Sequence, residues 1–167
     1  MRDEDRTEPP DVGDERSILT GFLDFHRDTL EWKLTGLTDE QLRERAAPPS
    51  SMSLLGLLRH LADVERGWFR VDVNGEALDP LYSSSQDPDG DFDDLDGASV
   101  ESVFATWREE VRLAREITAA RSLDDTFTSG DRMFSVRRVL VHMIEEYARH
   151  NGHADLLRER IDGATGE

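Results

Sequence analysis

With 167 residues, of which 37% are hydrophobic and 34% charged, the chain has material for one core of ordinary size under a heavily charged surface. Its formal charge of −17 argues against nucleic acid and anionic membrane as partners, because both kinds of binding rest on Lys and Arg neutralising negative charge. No cysteine is present, which excludes disulfides, thiolate metal ligands and a cysteine nucleophile, so any thiol chemistry must borrow its sulfur from a small molecule.

Residues 1–13 are polar and contain Pro9, Pro10 and Gly13. They read as a loosely attached leader before a single domain over 14–167. They lack the basic start and apolar stretch of a secretion signal, and no apolar run approaches the ~20 residues that span a bilayer, so a cytoplasmic protein is expected. From Asp14 the pattern Ile18, Phe22, Phe25, Leu30 and Leu34 predicts a first helix that stops near Gly36. Thr38 and Gln41 fit a capping box for a short helical piece that Pro48 and Pro49 end. Ser53 is suited to cap a second helix, with Leu54, Leu57, Leu58, Leu61, Val64 and Trp68 as one stripe and Asn74-Gly75 as its break. His60 lies at the edge of that stripe, and Glu65 within it is expected to pair with an arginine.

The stretch from Gly75 to about Gly97 is rich in Pro, Ser, Gly and Asp and predicts a long loop, a candidate lid. Its acidic run 87–96 does not match a calcium loop. Counting from Asp87 the glycine position is filled by Phe92, and counting from Asp89 it is filled by Asp94, so a solvated acidic loop is the expectation. A third helix is predicted over about 99–120, with Val100, Phe104, Trp107, Val111, Ala114 and Ile117 as its stripe. After a turn at Ser129-Gly130 a fourth helix runs from Ser135 to about Arg160, with Val136, Leu140, Met143, Tyr147, Ala154, Leu157 and Ile161 facing inward. No strand-like alternation persists, so the fold class is all-α.

The chemistry concentrates on the second and fourth helices. His142, Glu146, His150 and His153 share one helical face. At about 100° per residue from Val136, His150 falls near −40°, Glu146 near −80°, His153 near −100° and His142 near −120°, while the apolar stripe spans roughly −60° to +40°. His150 is therefore inside the buried face and Glu146 borders it. Burying imidazole beside carboxylate is costly unless both are paired or bound to metal. Two ligands one turn apart need a third from a facing helix, for which His60 is the best candidate. Two His and one carboxylate leave coordination positions open for water and substrate, as catalytic sites do. Zinc, nickel, iron, cobalt and manganese all accept such donors. The same spacing also suits core histidines and an exposed Glu–His pair worth a few tenths of a kcal/mol. His26 has no assigned role.

The stretches Leu57–Phe69, around His60, and Val141–Leu157, around Glu146 and His150, resemble the DinB-like superfamily of metal-binding four-helix bundles over nearly the whole chain beyond the leader. In that superfamily one His of the second helix and two residues four apart on the last long helix hold the metal. The resemblance therefore implies His60, Glu146 and His150 as ligands, with zinc as the leading ion. Glu in the first of the paired positions is similar to the branch that includes mycothiol-dependent maleylpyruvate isomerase.

The resemblance further implies a low-molecular-weight thiol, mycothiol or bacillithiol, as co-substrate, and hence a thiol S-transferase or thiol-assisted isomerase acting on a small electrophile. Lys33 is the one lysine among 20 basic residues, a bias expected of GC-rich coding, which agrees with an actinobacterial source and so with mycothiol. His142 and His153 are the candidate catalytic residues, as proton shuttles or contacts to thiol or substrate. The alternatives are a non-catalytic, stress-related metal or small-ligand binding protein and a homodimerising bundle.

Overall fold

The computed structural model describes residues 6–166. Each long helix begins where the sequence offers an oxygen to its free amides. The Asp14 side chain accepts from Ser17 at the start of α1 (Glu15–Leu34), and Ser53 accepts from Gly56 at α3 (Leu54–Glu65). Ser99 does the same at α5 (Val100–Ala119), and Ser135 at α6 (Val136–Asp162). The predicted Thr38–Gln41 capping box opens the short α2 (Asp39–Arg43). Gly163, at φ 80°, closes α6 in the left-handed conformation that glycine adopts without penalty.

The four long helices share one apolar core, with α1 laid along α6 and α3 against both α5 and α6. The first two turns of α3 are buried on every side, from Leu54 to Arg59, so α3 is the central helix. Among the described residues no helix is long and apolar enough to cross a membrane. Residues 6–13 run along α1: the Arg6 guanidinium bonds Thr29 Oγ1 at 3.1 Å and lies over the Phe25 and Trp32 rings.

The structure is mostly helical, in keeping with the all-α expectation, and adds one small element. A two-stranded antiparallel hairpin, β1 (Thr126–Ser129) and β2 (Arg132–Ser135), leads into α6 and pairs Phe127 with Phe134. Four residues per strand are too few for alternation to stand out. The usable signal was the two-residue turn Gly130-Asp131, with Gly130 at φ 57°.

Two helical stripes also sit differently from their prediction. In α1 the buried line is Leu23, Arg27, Leu30 and Leu34, while Phe22 is 42% exposed. In α3 Glu65 is buried as its place in the stripe predicts, but beyond it the buried position shifts from Trp68 to Phe69. The cause is a π-helical continuation, Arg66–Val73. Its i→i+5 bonds, such as Asn74 N–H to Phe69 O, turn the chain less per residue than the ~100° of an α-helix. Phe69 then reaches the centre, where α-periodicity would have put Trp68.

The long loop between α3 and α5 is strapped to the body by side chains of α2, of α3 and of Arg45 just after α2. The Asp63 carboxylate accepts the backbone N–H groups of Leu81, Tyr82 and Ser83 and the Ser83 hydroxyl. Arg59 donates to Asp94 O and lies 4.4 Å over the Tyr82 ring. Arg43 donates to Leu95 O and Ala98 O, and Arg45 to Phe92 O and the Asp93 carboxylate. Five of the six aspartates of the acidic run are exposed, as expected of a solvated loop, but the run is not all loop. It forms a turn of helix, α4 (Gly90–Asp93), in which Gly90 and Asp91 are buried. The apolar members Phe92 and Leu95 anchor that turn to the core.

Candidate metal centre

α3 and α6 face each other such that one ligand atom from each of His60, Glu146 and His150 lies within 4.8 Å of the others. Donors around an ion bonded at about 2.0–2.2 Å stand roughly 3–3.5 Å apart, so modest side-chain rotations would close the set. Glu146 Oε2 is already 3.5 Å from His150 Nε2. Two imidazoles and a carboxylate without sulfur match a borderline divalent ion. The three residues can hold one, and their partial burial leaves a side open to solvent.

A buried ionic network fixes the helices that carry these residues. Glu65, on α3, is fully buried and takes a bidentate bond from the Arg27 guanidinium at 2.8 and 2.7 Å. The Tyr147 hydroxyl, next in sequence to Glu146, donates to Glu65 Oε1 at 2.8 Å and accepts from the Trp107 indole N–H at 2.9 Å. One carboxylate thus ties α1, α3, α5 and α6 together beside the candidate ligands. Burial pulls the Arg27 guanidinium down, but the Glu65 carboxylate more than compensates and leaves it above its ordinary value. Burial, reinforced by the same carboxylate, pushes the Tyr147 phenol well above its usual range.

At the site itself, burial pushes the His150 imidazole down to about 4, with the neighbouring His60 and His153 adding to the effect. His150 is neutral at pH 7 and offers a lone pair. Its ring packs edge-on to His60 at 4.8 Å between centroids. His153 Nδ1 lies 3.3 Å from His150 Nδ1, on the side away from Glu146. His142 Nε2 lies 3.5 Å from Glu146 Oε1. The structure therefore brings His60, His142, Glu146, His150 and His153 into one cluster. His26 is elsewhere: its carbonyl accepts from the Asn151 amide at 3.0 Å.

Three neighbours escaped sequence reasoning. Trp68 stands edge-on to His142 at 4.9 Å and to Phe134 of the hairpin at 5.6 Å, forming an aromatic wall. Phe92 of α4 stacks on the His60 ring at 5.4 Å. Asp91 Oδ2 lies 2.8 Å from His60 Nδ1. The available signal for the last two was a phenylalanine and a leucine inside an otherwise acidic run, since apolar residues there need a surface to cover.

Comparison with known families places residues 18–163 under the model described as mycothiol-S-transferase. No curated protein and no solved structure matches the chain. The matched span runs from the first turn of α1 to the glycine that ends α6, and it includes every residue of the cluster. The chain belongs to the mycothiol S-transferase family, within the DinB-like superfamily.

Proposed function

We propose that this protein is a metal-dependent S-transferase that joins the sulfur of mycothiol to a small electrophile. The observation that carries this reading is the convergence of His60, Glu146 and His150 in a cysteine-free member of a thiol-transferring family. Zinc suits the donor set first, with nickel, iron, cobalt and manganese as alternatives. When bound, such an ion supplies the Lewis acidity that keeps a thiol ionised near neutral pH.

The chain supplies the rest. His60, Glu146 and His150 hold the ion at the α3–α6 seam of a four-helix bundle. His142, beside Glu146, receives the thiol proton and returns it to the leaving group. His153 braces His150 from behind. Trp68 and Phe92 flank the open side and shield the sulfur from water.

Metal analysis of protein purified without a histidine tag should find about one ion per chain, with His60→Ala and His150→Ala losing it. Incubation with mycothiol and a panel of electrophiles should consume thiol, with the S-conjugate detected by mass spectrometry; for maleylpyruvate, whose isomerisation would return the thiol, the readout is loss of the substrate itself. Metal retained in both variants would remove the ligand set. One ion per chain without thiol consumption would favour a metal-binding protein over an enzyme.

A further inference from the structure

We infer that Asp91, carried by the acidic strap, is a positioning residue for the metal centre: it orients His60 so that Nε2 faces the ion. This rests on the reading of His60, Glu146 and His150 as ligands and extends it to a carboxylate outside the helices that bear them.

Asp91 is 5% exposed, and a carboxylate so buried is costly unless a donor meets it. Its Oδ1 takes the N–H of Phe92 at 3.1 Å, and its Oδ2 lies 2.8 Å from His60 Nδ1. With Nε2 turned to an ion, the imidazole hydrogen is on Nδ1, where the Asp91 carboxylate is placed to accept it. A carboxylate behind a ligating imidazole fixes its tautomer and ring plane and strengthens it as a donor. Asp91 and Glu146 together also carry two negative charges, which match a dication.

The surrounding residues are shaped to allow this approach. A Cβ on Gly90 would come within 2.6 Å of the Tyr82 carbonyl oxygen, and one on Gly56 within 2.8 Å of the Phe92 ring. Gly56 lets α4 settle close enough to α3 for the carboxylate to reach His60, and Gly90 lets the strap fold tightly on its own Tyr82. Asp63, Arg59, Arg43 and Arg45 then hold the strap on either side. Phe92, stacked on the His60 ring, limits its rotation.

The test uses the full chain and cobalt(II), titrated against a chromophoric chelator, in the wild type and in Asp91→Asn, which keeps the shape and removes the charge. Affinity should fall about 10- to 100-fold, and the visible bands of the saturated cobalt protein should move. Wild-type affinity, or a loss of affinity with an unmoved spectrum, would overturn the inference, because a residue that only braced the strap would leave the ligand field alone. Nitrogen-15 NMR of the zinc-loaded wild type gives a check free of any variant: His60 should carry hydrogen on Nδ1 and metal on Nε2, and the reverse tautomer would overturn the inference. Failure of the wild type to bind metal would instead bring down the ligand set on which the inference rests.

Discussion

Glu65→Ala is the substitution expected to damage this protein most for its size. It removes the acceptor of the two Arg27 bonds at 2.8 and 2.7 Å and of the Tyr147 bond at 2.8 Å, all inside a region closed to water. Arg27 keeps Asp24, at 2.9 Å, but that carboxylate is partly exposed. Stripping one partner from a buried ion pair costs about 3–5 kcal/mol, because the remaining charge stays desolvated. With a urea slope of roughly 2 kcal/mol per molar, the unfolding midpoint should drop by about 1.5–2.5 M.

Replacing both partners, as in Arg27→Met with Glu65→Leu, should recover most of that loss, since well-packed apolar residues substitute for a buried pair at little cost. Urea unfolding followed by tryptophan fluorescence measures all of these variants, Trp107 being bonded directly to the network. A Glu65→Ala loss below about 1 kcal/mol, or a double variant no better than the single, would refute the claim that the uncompensated guanidinium dominates.

His142→Ala should keep its metal but slow thiol transfer by about 10²-fold or more, read as kcat against metal content. Ser53→Ala removes a fully buried cap bonded to Gly56 N at 3.1 Å and should cost about 1–2 kcal/mol in urea unfolding. Gly163→Ala forces a side chain into φ 80° at the end of α6 and should cost about 1 kcal/mol or more by the same assay. Burial holds His26 below its ordinary value of 6.5. The unfolded chain therefore takes up that proton first, and stability should be full above pH 6.5 and decline as pH falls below it. Thermal unfolding of His26→Gln between pH 5 and 8 should show a flatter slope.

Helix limits were readable wherever a local rule sets them. Asp14, Thr38, Ser53, Ser99 and Ser135 are short polar residues ahead of apolar periodicity, and each is found as a cap. Glu146 and His150 were legible as a pair because helical spacing fixes which residues share a face, whereas His60, on another helix, was picked out by the family resemblance; the structure brings one ligand atom of each within 4.8 Å. What escaped depends on contacts distant in sequence. Nothing near Arg27 announces a buried cation, since its partner is on another helix. Asp91 looks like any acid of its run until α4 is laid against α3. The inward position of Phe69 follows from a change of helical pitch, which a fixed 100° wheel cannot register.

That change of pitch divides one continuous rod into two separately aimed tools. The α-helical part up to Glu65 sets the bearing of His60, and the wider coil from Arg66 sets that of Trp68. Because the joint falls between them, adding or removing one residue between Arg66 and Trp68 would swing the Trp68 ring around the helix axis while His60 stayed in place. Gly67 sits within this coil, and a Cβ there would face open space. A change in that one turn would therefore re-aim Trp68 beside His142 without moving His60 against His150.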